Sequence, residues 1–255
     1  AHPEVERLVR EQRVPVIYAL WHSHVFFVPL FRTYERRAVS VLLSAQVSAI
    51  ETDRLAALST AQVSQLSSER VDALTAGQLA SVLTSQIVLL GTAQLSVLGA
   101  GQLVSISTGA VAGIVTHGIV ALNSDQVLAL TTSQLNALSS GQVQAIETSD
   151  LSLLATAKLS QLDSDSVSAL SSAQVSALTT AQVVSLTTAQ FDVLTTDQVA
   201  ALATGQVSLI ETADLAVLDS AQVAAFAPSQ ISALAISQLV AITTDAVIGI
   251  VPDGI

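Results

Sequence analysis

The fold is decided by residues 170–207, LSSAQVSALTTAQVVSLTTAQFDVLTTDQVAALATGQV, which repeat one eight-residue pattern. An aliphatic residue recurs every eight positions, as at Leu178, and a second apolar residue follows five positions later, as at Val183. Both columns are apolar in all 27 octads of residues 42–255, with no insertion or deletion. A repeat this strict indicates that every octad occupies an equivalent place in a stack.

The octads fit neither one long helix nor a plain strand. At about 100° per residue, an eight-residue step moves the apolar stripe by about 80° around a helix, so the stripe would not stay on one face. In a strand, columns that are alternately five and three residues apart would fall on opposite faces. The spacing therefore predicts a structure that restarts in every octad.

Capping chemistry predicts where each restart lies. In the octad LTTAQVVS, Thr179 precedes Gln182 by three residues, which is the spacing of a capping box. Pro228 falls at the first helical position of its octad, where proline is tolerated. Fourteen of the sixteen acidic residues in 42–255 lie at the cap or the next three positions, where a helix dipole favours negative charge.

We therefore predict an all-α repeat solenoid of 27 eight-residue capped helical turns in residues 42–255, following a short α/β N-terminal segment. Each octad supplies about one and a half helical turns and a two-residue corner, and stacking provides the stability that so short a helix lacks. The alternative is a β-solenoid with two or three octads per coil, which the abundance of Val and Thr favours.

Hydroxyl side chains fill 22 of the 27 first helical positions, from Ser44 to Thr244. Such a column could bind ice or a polysaccharide, but hydrogen bonding at helix ends is the simpler interpretation.

Composition changes near residue 41, which predicts two units, 1–41 and 42–255. The first unit has six Arg against four Glu, a formal charge of +2, and the second has three basic against sixteen acidic residues, a formal charge of −13. An acidic repeat surface argues against binding to nucleic acid or anionic lipid. The apolar residues 14–31 read as a buried strand, with a weak interfacial membrane contact as the alternative.

Residues 1–44 resemble the start of a lysophospholipid-acyltransferase-like family. The resemblance rests on VIYALWHSH at residues 16–24, preceded by a basic amphipathic helix and followed by VSVLLS at residues 39–44. It implies that His22 is the general base that activates an acceptor hydroxyl. Where the family has an acidic partner for this histidine, the chain enters the octads, and a lone histidine is a poor base. A truncated, inactive remnant is therefore expected.

Metal and cofactor sites are not expected. His22 and His24 form an H-x-H pair, but a zinc site needs three or four ligands, and the other histidines are only His2 and His117. Cysteine is absent, and so is the phosphate-binding pattern G-x-x-x-x-G-K-[ST]. Buried or hydrogen-bonded histidines are the simpler interpretation.

A longer period connects residues 107–119, STGAVAGIVTHGI, with residues 243–255, TTDAVIGIVPDGI. Both stretches lose the glutamine of the octad, as at Ala110 and Gly118, and both gain glycine. We expect these stretches to be places where the solenoid bends, or seams between duplicated blocks.

The octads also resemble long Ala/Val/Thr/Gln-rich repeat tracts of large bacterial surface or secreted proteins. This resemblance implies a non-enzymatic elongated scaffold that acts as a stalk or adhesive surface outside the cell, without a cofactor. No signal peptide precedes the first segment, and we expect the chain to be a piece of a longer protein. The alternative is an acyltransferase-like enzyme centred on His22. Self-association through the apolar ends of the solenoid is the expected partner interaction.

Overall fold

A computed structural model describes residue 55, residues 58–242 and residue 246. In this part of the chain there are 23 short helices and no strand, which confirms the all-α solenoid and makes the β-solenoid alternative wrong. In chain order the helices are α1 Thr60–Ser64, α2 Ser68–Asp72, α3 Ala76–Ala80, α4 Thr84–Ile87, α5 Thr92–Leu95, α6 Ala100–Ser105, α7 Thr108–Ala112, α8 Thr116–Val120, α9 Ser124–Ala129, α10 Thr132–Asn136, α11 Ser140–Gln144, α12 Thr148–Leu153, α13 Thr156–Leu159, α14 Ser164–Ser168, α15 Ser172–Ala177, α16 Thr180–Val184, α17 Thr188–Asp192, α18 Thr196–Ala201, α19 Thr204–Val207, α20 Thr212–Leu215, α21 Ser220–Ala224, α22 Pro228–Ala233 and α23 Ile236–Ala241.

Each helix begins at the cap that the sequence predicts. Before α16, Leu178 (φ −58°, ψ 140°) and Thr179 (φ −69°, ψ 157°) are extended and form the corner between two helices. The Thr179 hydroxyl accepts a hydrogen bond from the Gln182 backbone N–H at 3.2 Å, which starts the next helix. Pro228 is the first residue of α22, as expected.

Three consecutive helices make one coil of the solenoid, so each coil comprises three octads. Successive helices turn away from one another, and almost every helix packs on the helix three places later, for example α15 on α18. The one irregularity is α10, whose main contact with the next coil is to α14. The stack therefore has three faces: face A (α1, α4, α7 and every third helix to α22), face B (α2 to α23) and face C (α3 to α21).

The core is one continuous column inside the coils. The two apolar columns of the octads line it along almost the whole described stack, as shown by Leu178 and Val183, which are 4% and 0% exposed. Burying such a side chain contributes about 1.5–3 kcal/mol. A five-residue helix is unstable alone, so this burial against neighbouring coils is what holds it.

The glycine-containing stretch 107–119 continues the stack. Helices α7 and α8 pack on α4 and α5 below and on α10 and α11 above. A Cβ on Gly118 would lie 2.6 Å from Ile114 Cγ2 and 2.7 Å from Leu95 Cδ1, and a Cβ on Gly113 would lie 2.8 Å from Val88 Cγ1. These glycines therefore allow close contact between coils. Of the second copy, residues 243–255, only Ala246 is described, and it is buried.

The N-terminal unit 1–41, with its predicted strand at residues 14–31, lies outside the described residues.

Candidate functional site

The recurring polar side chain inside the stack is the glutamine at the third helical position. In α16, Gln182 Oε1 accepts from the Thr179 backbone N–H at 2.8 Å. Its Nε2 donates to the carbonyl oxygens of Leu151 and Leu154, both at 2.8 Å. These carbonyls lie at the C-terminal end of α12, four helices earlier in the chain, where intrahelical donors are lacking. One amide thus caps two helices in different coils, and we call the Nε2 contacts the inter-coil bridge.

The inter-coil bridge recurs along the stack. Most of the glutamines are buried, and no buried side-chain nitrogen or oxygen among the described residues lacks a partner. The glutamines that donate to carbonyls of the preceding coil are Gln86, Gln94, Gln102, Gln126, Gln134, Gln142, Gln174, Gln182, Gln190, Gln198, Gln206, Gln222, Gln230 and Gln238. Losing a bridge would leave buried carbonyls unpaired, at about 1–3 kcal/mol each.

The glutamine half of the capping box is more constant than the hydroxyl half. At Leu83, Gly91 and Ala203 the N-cap residue has no side-chain oxygen, yet its backbone N–H still donates to the glutamine Oε1 at 2.6–2.8 Å. The capping box predicted from sequence is therefore incomplete in these octads. Glutamine is retained because it also forms the inter-coil bridge.

Two acidic residues take the glutamine position, and they cannot donate to carbonyls. Asp214, 4% exposed, instead accepts from Thr188 Oγ1 at 2.9 Å, and Asp150 accepts from Ser124 Oγ at 2.6 Å. Burial raises the pKa of Asp214; the Thr188 hydrogen bond lowers it in part, and the nearby Glu211 raises it further. In these two octads, a hydroxyl–carboxylate hydrogen bond takes the place of the inter-coil bridge.

Lys158 also occupies the glutamine position, and it preserves the bridge with a different donor. Its Nζ donates to the carbonyl oxygens of Leu128 at 2.6 Å and Leu130 at 2.7 Å. Burial lowers the pKa of Lys158, because the ammonium group is partly removed from water.

Titratable side chains do not form a catalytic or metal-binding cluster in the described part of the chain. The one described histidine, His117, is exposed, and no group of three His, Cys, Asp or Glu residues is placed to hold a metal ion there. His2, His22 and His24 lie outside the described residues. The role of His22 as a general base therefore stays a prediction.

Two cavities in the described core are each about 10 Å³, one lined by residues such as Leu55 and Ile87 and the other by residues such as Val127 and Leu170. A single water needs about 10–15 Å³, so neither cavity holds a small-molecule ligand. In the described residues, helices are too short to cross a bilayer.

The outer surface divides by face. All twelve acidic residues of the described range lie on faces B and C, and Lys158 is the single charged residue in the octads of face A. Sequence reasoning that compared octads only with their neighbours missed both this division and the inter-coil bridge. The signal that reveals them is a three-octad period: between residues 58 and 233, every third octad is free of acids.

The described residues define a class of protein, an α-solenoid of octapeptide repeats with three helices per coil. Residues 47–84, 143–180 and 176–204 match the family model of the ALTTAQ repeat, and together they cover less than half of the chain. The six letters of that repeat occur unchanged at residues 177–182, which contain the corner, the cap and the bridging glutamine. A search of curated proteins finds no match.

Proposed function

We propose that the protein is a non-enzymatic, elongated repeat scaffold that serves as a stalk or adhesive part of a bacterial surface or secreted protein. The observation that carries this proposal is the inter-coil bridge. In most octads the buried glutamine amide makes hydrogen bonds that join neighbouring coils. The recurring buried polar groups therefore stabilise the solenoid itself. The match to the ALTTAQ repeat supports the scaffold part of the proposal.

The geometry of stacking favours an extended shape. Residues 58–242 make nearly eight coils of three octads. Helices in contact lie about 8–10 Å apart, so this stack is roughly 75 Å long. A compact globular domain with as many residues would be about 40 Å across. A stalk must span a long distance with few residues, and an extended stack does this better than a compact domain.

Location at the cell surface is supported by two features. The octads resemble repeat tracts of bacterial surface and secreted proteins, and the chain has a net charge of −11, which keeps an extended repeat soluble. Neither feature depends on the N-terminal unit 1–41, because the octads alone carry a formal charge of −13.

The shape is tested by small-angle X-ray scattering on the full chain. We expect the largest dimension of the particle to be about 75 Å or more, because the described stack of residues 58–242 alone has about that length. A compact particle with a largest dimension of about 40 Å would contradict the scaffold proposal. The surface location is tested separately, by antibody labelling and protease treatment of intact producing cells. Octads that are protected until the cells are lysed would contradict it.

An acyltransferase-like enzyme stays the alternative, supported by the motif at residues 16–24. Transfer of an acyl group to a lysophospholipid by the full chain, lost on His22→Ala, would favour the enzyme. Equal background rates for both chains would leave the scaffold.

A further inference from the structure

Face A differs from the rest of the surface in charge. Its eight described octads contain no Asp, Glu or Arg, and the ammonium group of Lys158 is directed inward to the carbonyls of Leu128 and Leu130. Faces B and C carry the twelve described acids and one other basic residue, Arg70. Two copies of this chain would therefore repel each other less at face A than at the acidic parts of faces B and C, which lie at residues 69–72 and 125–219.

The outer surface of face A carries mainly small side chains and is partly apolar. In seven of the eight helices of face A, from α1 to α19, threonine occupies the first helical position, and the residue after it is always Ala, Ser or Gly. Aliphatic side chains are exposed beside this row: Leu83 is 53% exposed, Leu89 39% and Leu209 51%. The threonines are Thr60, Thr84, Thr108, Thr132, Thr156, Thr180 and Thr204.

The exposed leucines are placed symmetrically on the face. Leu89 ends the octad of the second of the eight helices, α4, and Leu209 ends the octad of the seventh, α19. A twofold axis through the midpoint of face A, parallel to its helices, brings Leu89 of one copy opposite Leu209 of the other. Such an interface is isologous and closes at two copies.

We propose that face A is the contact surface of an antiparallel homodimer, with Leu89 of each copy against Leu209 of its partner. Eight helices that are on average about 9 Å apart make the face about 65 Å long, with the irregularly packed α10 next to its midpoint, and a helix with its corner is about 12 Å wide. The area is thus roughly 800 Å² per copy, which is that of a stable protein–protein interface.

This dimer goes beyond the scaffold proposal, because it concerns the side of the solenoid. It also differs from association through the solenoid ends. End-to-end contacts are heterologous and produce open chains of many lengths, whereas face A produces only a dimer.

The test introduces charge into face A of the full chain. Thr156→Glu with Thr180→Glu places two carboxylates at first helical positions near the middle of the face, where the helix dipole tolerates them. Ser140→Glu with Ser164→Glu is the matched control on face B, at the same helical positions and with the same separation of one coil. Sedimentation equilibrium measures the dissociation constant, and circular dichroism checks that each variant is folded.

We expect the face A variant to raise the dissociation constant at least tenfold and the face B variant to change it less than twofold. Added salt should tighten the wild-type dimer, because it screens repulsion between the acidic faces. The register is tested by Leu209→Asp, which should weaken the dimer, and by adding Leu89→Lys to it, which should restore association by pairing the two charges across the interface.

A wild-type chain that is monomeric at about 100 μM would overturn the proposal, since even a weak interface is largely occupied there. So would polydisperse association that the face A charges do not change, which would point to the solenoid ends. A monomer that adsorbs through face A to ice or to an insoluble polysaccharide would overturn it as well. Failure of Leu89→Lys to rescue Leu209→Asp would overturn the antiparallel register.

Discussion

Two coils of the same solenoid are held against their neighbouring coils by different contacts. In the coil of α16 to α18, Gln182, Gln190 and Gln198 each bridge to the preceding coil. In the coil of α7 to α9, the first two of these positions are Ala110 and Gly118, and α9 alone has a bridging glutamine. The apolar columns are buried in both coils. Burial of the two apolar columns is therefore common to both coils, whereas the contact with the neighbouring coil is made either by glutamine bridges or by close packing at glycines.

The largest expected effect comes from Gln182→Glu in the bridged coil. The carboxylate can still accept from Thr179 N–H, but its second oxygen would face the carbonyls of Leu151 and Leu154, now 2.8 Å from Nε2. We expect a loss of about 3–5 kcal/mol, measured by denaturant unfolding.

Gln144→Glu makes the same chemical change at an exposed position of α11 and should alter stability by no more than about 0.5 kcal/mol. If Gln182→Glu were as mild as this control, the inter-coil bridge would not be a major source of stability.

Gly118→Ala tests the glycine coil. The new methyl group would lie within 2.7 Å of Leu95 Cδ1 and Ile114 Cγ2, so we expect a loss of about 1–3 kcal/mol from overpacking in thermal unfolding. Gly141→Ala, one coil later on face B, meets no atom within 4 Å and should stabilise α11 by about 0.5–1 kcal/mol. Equal effects of the two substitutions would contradict the close approach at Gly118.

A smaller effect is expected at Asp214, an octad without a bridge. Asp214→Gln can restore donors to the preceding coil and should gain about 1 kcal/mol in chemical unfolding at neutral pH. Asp214→Asn removes the charge but is one methylene shorter than glutamine, so it should gain less. Identical stability of the Asn and Gln variants would show that charge alone matters.

The pH dependence of these variants has a defined sign. Because folding raises the pKa of Asp214 above its ordinary value of 3.8, protonated Asp214 favours the folded state. This stabilising effect is fully present below pH 3.8 and is lost as the pH rises through the pKa of the folded state. The stability advantage of Asp214→Asn over the wild type should therefore grow from acid to neutral pH. A constant difference across that range would contradict a raised pKa.

Local chemistry made much of the fold predictable. The Leu and Val columns, the cap at Thr179 and the proline at position 228 fix the start, the end and the inner face of each helix, and these features act within a single octad. The second contact of Gln182 was not predictable from the octad alone. Its partners lie 28 and 31 residues earlier, and only the number of helices per coil brings them within reach.

The candidate site was less predictable than the fold. The proposed base His22 lies in residues that the structure does not describe, so its environment is open to experiment. The absence of acidic residues from face A follows from a three-octad period, which appears only when every third octad is compared.

The direction of the inter-coil bridges has a mechanical consequence. They run along the solenoid axis, so a force that pulls the two ends apart loads them lengthwise, coil after coil. Each coil that opens releases three octads, or roughly 80 Å of extended chain, in place of about 10 Å of stack. A stretched molecule should therefore lengthen in regular steps of about 70 Å and dissipate energy at each one.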